Sequence, residues 1–106
     1  MEFSDFLPLG SIVLVTGGIK KLMIISRSVT VPIHGKQLYF DYGACAYPEG
    51  MIGNKALYFN HTQIARVIHE GYVNEDNEYF LDVCRDWLEK NTIERGDPGE
   101  LLKTQI

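Results

Sequence analysis

The chain has no long hydrophobic run. Its most apolar short stretch, Ile12 to Val15, is strand-sized, and nothing in the 106 residues approaches the roughly 20 needed to span a bilayer. It also lacks a basic, apolar leader. Glu2 and Asp5 occupy the N-terminus, so no secretory signal is expected and the cytoplasm is the expected location. Cysteine is scarce. Cys45 and Cys84 are the only two, and without an export signal they read as small, buried, reduced thiols, not a disulfide. A basic excess is missing as well. The net charge of −4 speaks against a general phosphate binder, which needs a positive field. Histidine is limited to His34, His61 and His69. His61 and His69 are eight apart, which fits neither a helical i, i+4 pair nor the short His spacing of a zinc site. A site gathered in space from His61, His69 and Cys45 or Asp41 is the alternative. No metal or other cofactor is expected.

What is present suits one domain. Apolar residues make up 45 % and charged residues 23 %, enough for a single core without a metal or disulfide. Ile12–Val15 is β-branched and reads as a strand. Gly17-Gly18 supplies a hairpin turn into a second strand from Lys21 to Ile25, which Val29 and Val31 extend, with Pro32 at an edge or a bend. Gly35-Lys36 marks a turn. Gln37 to Tyr47 reads as a long third strand, in which Gly43-Ala44 suggests a bulge or a close backbone crossing. Tyr47-Pro48-Glu49-Gly50 reads as a turn, Lys55–Phe59 as a short strand, and the stretch from Asn60 as a turn leading into a strand that ends at Gly71-Tyr72.

Asn74 is a good helix N-cap, followed by Glu75, Asp76 and Glu78 where carboxylates oppose the positive helix end. Phe80, Val83, Cys84, Trp87 and Leu88 recur at helical spacing and form one apolar stripe, expected to lie on the sheet. The expectation is an α+β domain over residues 1–91: a small antiparallel β-sheet of about five strands, or an SH3-like barrel, with a packed C-terminal α-helix. Residues 92–106 read as a flexible or short-helical tail, with a helix start at Asp97-Pro98-Gly99-Glu100.

No catalytic motif emerges. Val13 to Gly18 resembles a dinucleotide-binding turn only in its first glycines. The third glycine is missing, and a β-branched run follows where a helix should open. P-loop spacing is absent too. Cys84 lies on the helical stripe, where a buried thiol is inert. Asp41 lies between Phe40 and Tyr42 with no second carboxylate placed near it, so a carboxylate bonded to a turn or to Arg27 is expected in place of a general acid. The chain is therefore read as a non-enzyme.

Aromatic residues are the most informative group. They crowd the middle of the chain, and strand alternation sends some of them outward. Tyrosine favours protein interfaces because it gives large contact area at small entropic cost, although aromatics also stack single-stranded nucleic acid on small barrels. The candidate protein-binding residues are Tyr39, Tyr42, Tyr47, Tyr58 and Tyr72.

Leu7-Pro8-Leu9-Gly10-Ser11-Ile12-Val13 through Gly17-Gly18, then Lys21 to Arg27, Asp41-Tyr42, Tyr47-Pro48-Glu49-Gly50, Tyr58-Phe59-Asn60-His61 and Gly71-Tyr72 occur in an order that resembles the domain-of-unknown-function family 4176, over about residues 7 to 88. The resemblance implies a small Gram-positive protein beside LXG-type toxins and their helical partners in type VII secretion loci. It implies an accessory or targeting factor that binds such a toxin complex, and it transfers no catalytic residue. An immunity protein that neutralises a toxin domain and a small nucleic-acid-binding barrel are the alternatives. The oligomeric state is not encoded in any motif.

Overall fold

A computed structural model describes residues 5–97. Its elements are β1 (Ile12–Val15), β2 (Leu22–Ile33), β3 (Lys36–Ala46), β4 (Leu57–Phe59), a 3-10 turn (His61–Gln63), β5 (Ile64–His69), α1 (Glu75–Lys90) and β6 (Glu94–Arg95). The strands form an open sheet in the order β4-β3-β2-β1-β5, all antiparallel, and β6 runs parallel to β3 alongside Leu38 and Tyr39. The fold is thus α+β, and of the two expected forms it takes the open sheet.

The β2–β3 hairpin is the backbone of the domain. It is long because His34 and Gly35 both adopt positive φ, 50° and 80°, between the paired residues Ile33 and Lys36. A two-residue turn with that handedness matches the natural twist of its strands, so pairing continues to the turn itself. Its register slips between Ile24 and Ser26, opposite Gly43-Ala44. Gly43 is required there. A Cβ on it would meet Ser26 Oγ at 2.3 Å and the Tyr58 ring at 3.3 Å. The slip also changes the phase of β2, so Leu22 and Ile24 enter the core and Arg27, three residues on, is buried as well.

The core joins Val13, Val15, Leu22, Ile24, Tyr42, Ala44 and Phe59 to Phe6 and to Leu81 of α1. The lead-in before β1 is held by Ser11, whose Oγ donates to Pro8 O (2.7 Å) and accepts from Gly71 N (3.0 Å). Asn74 caps α1 through Oδ1, which accepts from the amides of Asp76 (3.0 Å) and Asn77 (3.3 Å).

Two expectations need correction. The helix does not lay the Phe80–Leu88 stripe on the sheet. Its buried residues are Leu81 and Cys84, and Cys84 belongs to the stripe, so the inward side is turned from the stripe's centre by roughly 60° on a helix of about 100° per residue. Phe80, Val83 and Trp87 remain 40 %, 47 % and 42 % exposed. The domain also does not end at residue 91. β6 pairs with β3, Gly96 N donates to Tyr39 O (2.7 Å), and Gly96 is buried against the Phe40 ring. The helix start expected at Asp97-Pro98 and the remaining tail lie outside the described residues apart from Asp97 itself.

Candidate protein-docking groove

The turn of α1 away from its most apolar side opens a furrow between the helix and β2. Nearest the helix N-terminus is a cavity of about 530 Å³ lined by Leu9, Ile25, Ser26, Arg27, Tyr72, Asn74, Asp76, Asn77 and Phe80. Phe80 is shared with the next hollow, about 320 Å³, bounded by Ser28, Thr30, Val83, Cys84 and Trp87. Thr30 and Trp87 lead in turn to a third, about 460 Å³, reaching Gln37, Ile93 and Glu94. The three therefore run as one track along a single side of α1.

The first hollow is mainly apolar, the second and third are mixed, and α1 brings charge to the rim. Tyr72 is 78 % exposed. With Phe80, Val83 and Trp87 it places four large apolar side chains in water around one furrow, more than scattered surface hydrophobics require. α1 carries six carboxylates (Glu75, Asp76, Glu78, Asp82, Asp86, Glu89) against Arg85 and Lys90. The helix alone therefore accounts for the chain's net charge of −4.

Arg27 forms the floor of the first cavity and is 6 % exposed. One of its terminal nitrogens donates to Asn77 Oδ1 and, at 3.5 Å, to Leu7 O. Its guanidinium carbon lies 5.1 Å from the centre of the Phe80 ring. Burial holds its pKa below the ordinary arginine value. Burial likewise pushes the neighbouring Cys84 thiol up, which makes it a poorer nucleophile.

The tyrosines expected at a binding surface divide. Tyr72 stands at the groove mouth. Tyr47 is 39 % exposed, on the turn after β3, away from the groove lining. Tyr58 is half-buried beside Phe40, ring centres 5.8 Å apart. Tyr39 and Tyr42 are 2 % and 0 % exposed and serve the core, a correction to their expected place at the surface. The reason is that β3 is covered on both faces from Tyr39 to Cys45. The Arg95 guanidinium lies 4.9 Å from the Tyr39 ring, while Phe6 and Phe59 close on Tyr42 at 5.3 and 5.5 Å. Burial pushes both phenols up to about 12. Phe80, Val83 and Trp87 are the surface aromatics and aliphatics that sequence reasoning assigned to the interior. The signal for them was the second, narrower inward stripe of Asn77, Leu81, Cys84 and Leu88.

Asp41 and His61 do come together, in a structural clamp. Asp41 is 3 % exposed; its Oδ2 accepts from His61 N (2.9 Å) and its Oδ1 pairs with Arg95 Nη1 (2.8 Å). Of the two expected partners, the turn is met through His61 N, and Arg27 is engaged elsewhere. Asn60 Oδ1 accepts from Asp41 N (3.0 Å) and Arg95 (3.1 Å), and its Nδ2 donates to Gly96 O (2.9 Å). His61 Nδ1 shares a 2.8 Å hydrogen bond with the Tyr42 hydroxyl, which accepts from Leu7 N at 3.0 Å. Among the described residues no group of three His, Cys, Asp or Glu is placed to hold a metal ion. Cys45 and Cys84 are free and buried. No described helix is long and apolar enough to cross a membrane.

The fold and groove define a small α+β module with an open antiparallel sheet and one partly unpartnered helix. The chain belongs to the family described as Domain of unknown function (DUF4176), whose model matches residues 6–80. The match takes in β1 to β5 and ends at Phe80, inside α1, so the groove wall from Val83 to Glu94 lies beyond it. Neither a curated protein nor a solved structure matches the chain.

Proposed function

We propose that the protein is a non-catalytic, cytoplasmic accessory factor that binds an LXG-type toxin, or the helical partners of that toxin, for type VII secretion. The observation that carries the binding role is the exposure of Phe80, Val83 and Trp87 along one furrow, on a helix buried on another side. Evolved or not, such a face leaves apolar area in water that a partner would cover, and burial returns about 25 cal/mol per Å². The secretion context rests on family membership and the ordered motifs that led to it. The acidic helix favours a partner with cations beside its apolar stripe, and it disfavours a phosphate backbone on this face.

Co-expression of the tagged chain with the LXG toxin and its helical accessory proteins tests this reading. Capture should occur through the toxin's N-terminal LXG region and should fall at least tenfold in Trp87→Ala, the usual scale for a buried aromatic anchor. The acidic helix also suits an immunity protein, which would bind the toxin's C-terminal domain instead. Failure to capture any of these proteins would remove both readings.

A further inference from the structure

The floor of the groove holds a charge that no ion pair among the described residues balances. Arg27 is 6 % exposed, and among the described residues no carboxylate pairs with it. Its polar partners are neutral, Asn77 Oδ1 and Leu7 O, and its Nε is buried with no acceptor. Asp76, the acid nearest the cavity, is exposed at the rim and accepts from Asn74 Nδ2 at 3.4 Å. A buried cation without an anion is costly in an isolated domain, and a carboxylate that reaches the guanidinium from the cavity offsets that charge. The cavity over Arg27 is about 530 Å³, large enough for a side chain, and Leu9, Ile25 and Phe80 make its remaining walls apolar.

We propose that Arg27 is a receptor for a carboxylate carried by the protein segment that fills the groove, an Asp or Glu side chain flanked by apolar residues. The occupant is a polypeptide because the cavity does not close: past Phe80 it meets a second hollow with Val83 and Trp87, which takes a further apolar side chain, and then a more polar one at Gln37 and Thr92. A second copy of this chain fits poorly, since its α1 would set six carboxylates against six, whereas a single carboxylate placed on Arg27 meets the one cation in the cavity lining. The inference rests on the protein-binding reading above and names the chemistry of that partner.

The test titrates the ¹⁵N-labelled full chain with the capped peptide acetyl-Leu-Glu-Leu-Leu-amide, its Gln counterpart and hexanoate. The Glu peptide should move the Arg27 Nε–Hε signal and the amides of Asn77 and Phe80 at about tenfold lower concentration than the Gln peptide, a preference expected of one charge-assisted contact. Arg27→Gln should erase the preference. Equal response to Glu and Gln peptides overturns the proposal, as does a preference that survives Arg27→Gln; the wild-type comparison alone decides if that variant fails to fold. Hexanoate acting as strongly as the Glu peptide overturns it in favour of a small-molecule site. A Glu preference without toxin capture removes the secretion reading only. Toxin capture unchanged by Arg27→Gln, with no Glu preference, removes the carboxylate receptor only.

Discussion

Asp41 illustrates how far single residues can be read from sequence. Its carboxylate was expected to bond a turn or Arg27; it does bond the turn at His61 N, and its cation is Arg95. Its partners were not legible because they are distant in sequence: Asn60 and His61 reach it through the pairing of β4 with β3, and Arg95 only when β6 returns beside β3. Tyr42 is a second case. Its ring fills the core, yet its hydroxyl accepts from Leu7 N and bonds His61, so Tyr42→Phe keeps the packing and strands a donor. A loss of about 1–2 kcal/mol is expected in urea unfolding. The alkaline limit follows from the same burial. Tyr39 and Tyr42 are raised from 10.0 to about 12, so the folded state favours their neutral forms. Their contribution is complete below pH 10 and is lost as pH rises from 10 through about 12. Tyrosinate absorbance should show a late-ionising class that disappears on unfolding, and the urea midpoint should fall across that interval. A single ionisation near pH 10 for every tyrosine would refute it.

At the scale of elements, the strands were legible and the helix was legible in extent but not in phase. Strands declare themselves through β-branched runs and glycine turns, and the β2–β3 hairpin follows from residues that tolerate its turn. α1 has two candidate faces that share Cys84 and Leu88. Counting apolar residues selects the larger one, which in fact borders the groove, because an apolar side chain left exposed has the same composition as one that is buried. This gives a paired prediction. Leu81→Ala removes a core side chain and should cost about 2–4 kcal/mol. Trp87→Ala, at a half-exposed position, should cost under about 1 kcal/mol in the free protein. Thermal unfolding of the two variants decides between the phases; the reverse order would restore the stripe expected from sequence. The turn offers a third substitution. His34 holds φ of 50°, where asparagine is better tolerated, so His34→Asn should stabilise by about 0.5 kcal/mol.

For the whole molecule, the question is where the domain ends. The polar composition after Thr92 reads as a tail, yet three residues of it complete the sheet edge. Glu94 and Arg95 pair with Leu38 and Tyr39, and Gly96 brings its backbone against Phe40 so closely that a Cβ would lie 2.2 Å from the ring. A fragment ending at residue 91 would leave Asp41 without its cation, Asn60 Nδ2 without an acceptor and Tyr39 O without its donor. Removing one partner of a buried pair costs about 3–5 kcal/mol, against a total stability of about 5–15 kcal/mol for a domain. Arg95 is itself half-exposed, so its own release to water is cheap, and the penalty falls on Asp41. The full chain should therefore unfold cooperatively, while 1–91 should lose most of its stability and the near-ultraviolet signal of its packed tyrosines. Gly96→Ala in the full chain should reproduce part of that loss, about 1–3 kcal/mol, because the added methyl group has no space beside Phe40. A fully stable 1–91 fragment would mean that the clamp around Asp41 is dispensable and that the fold is closed by the β2–β3 hairpin and its core alone.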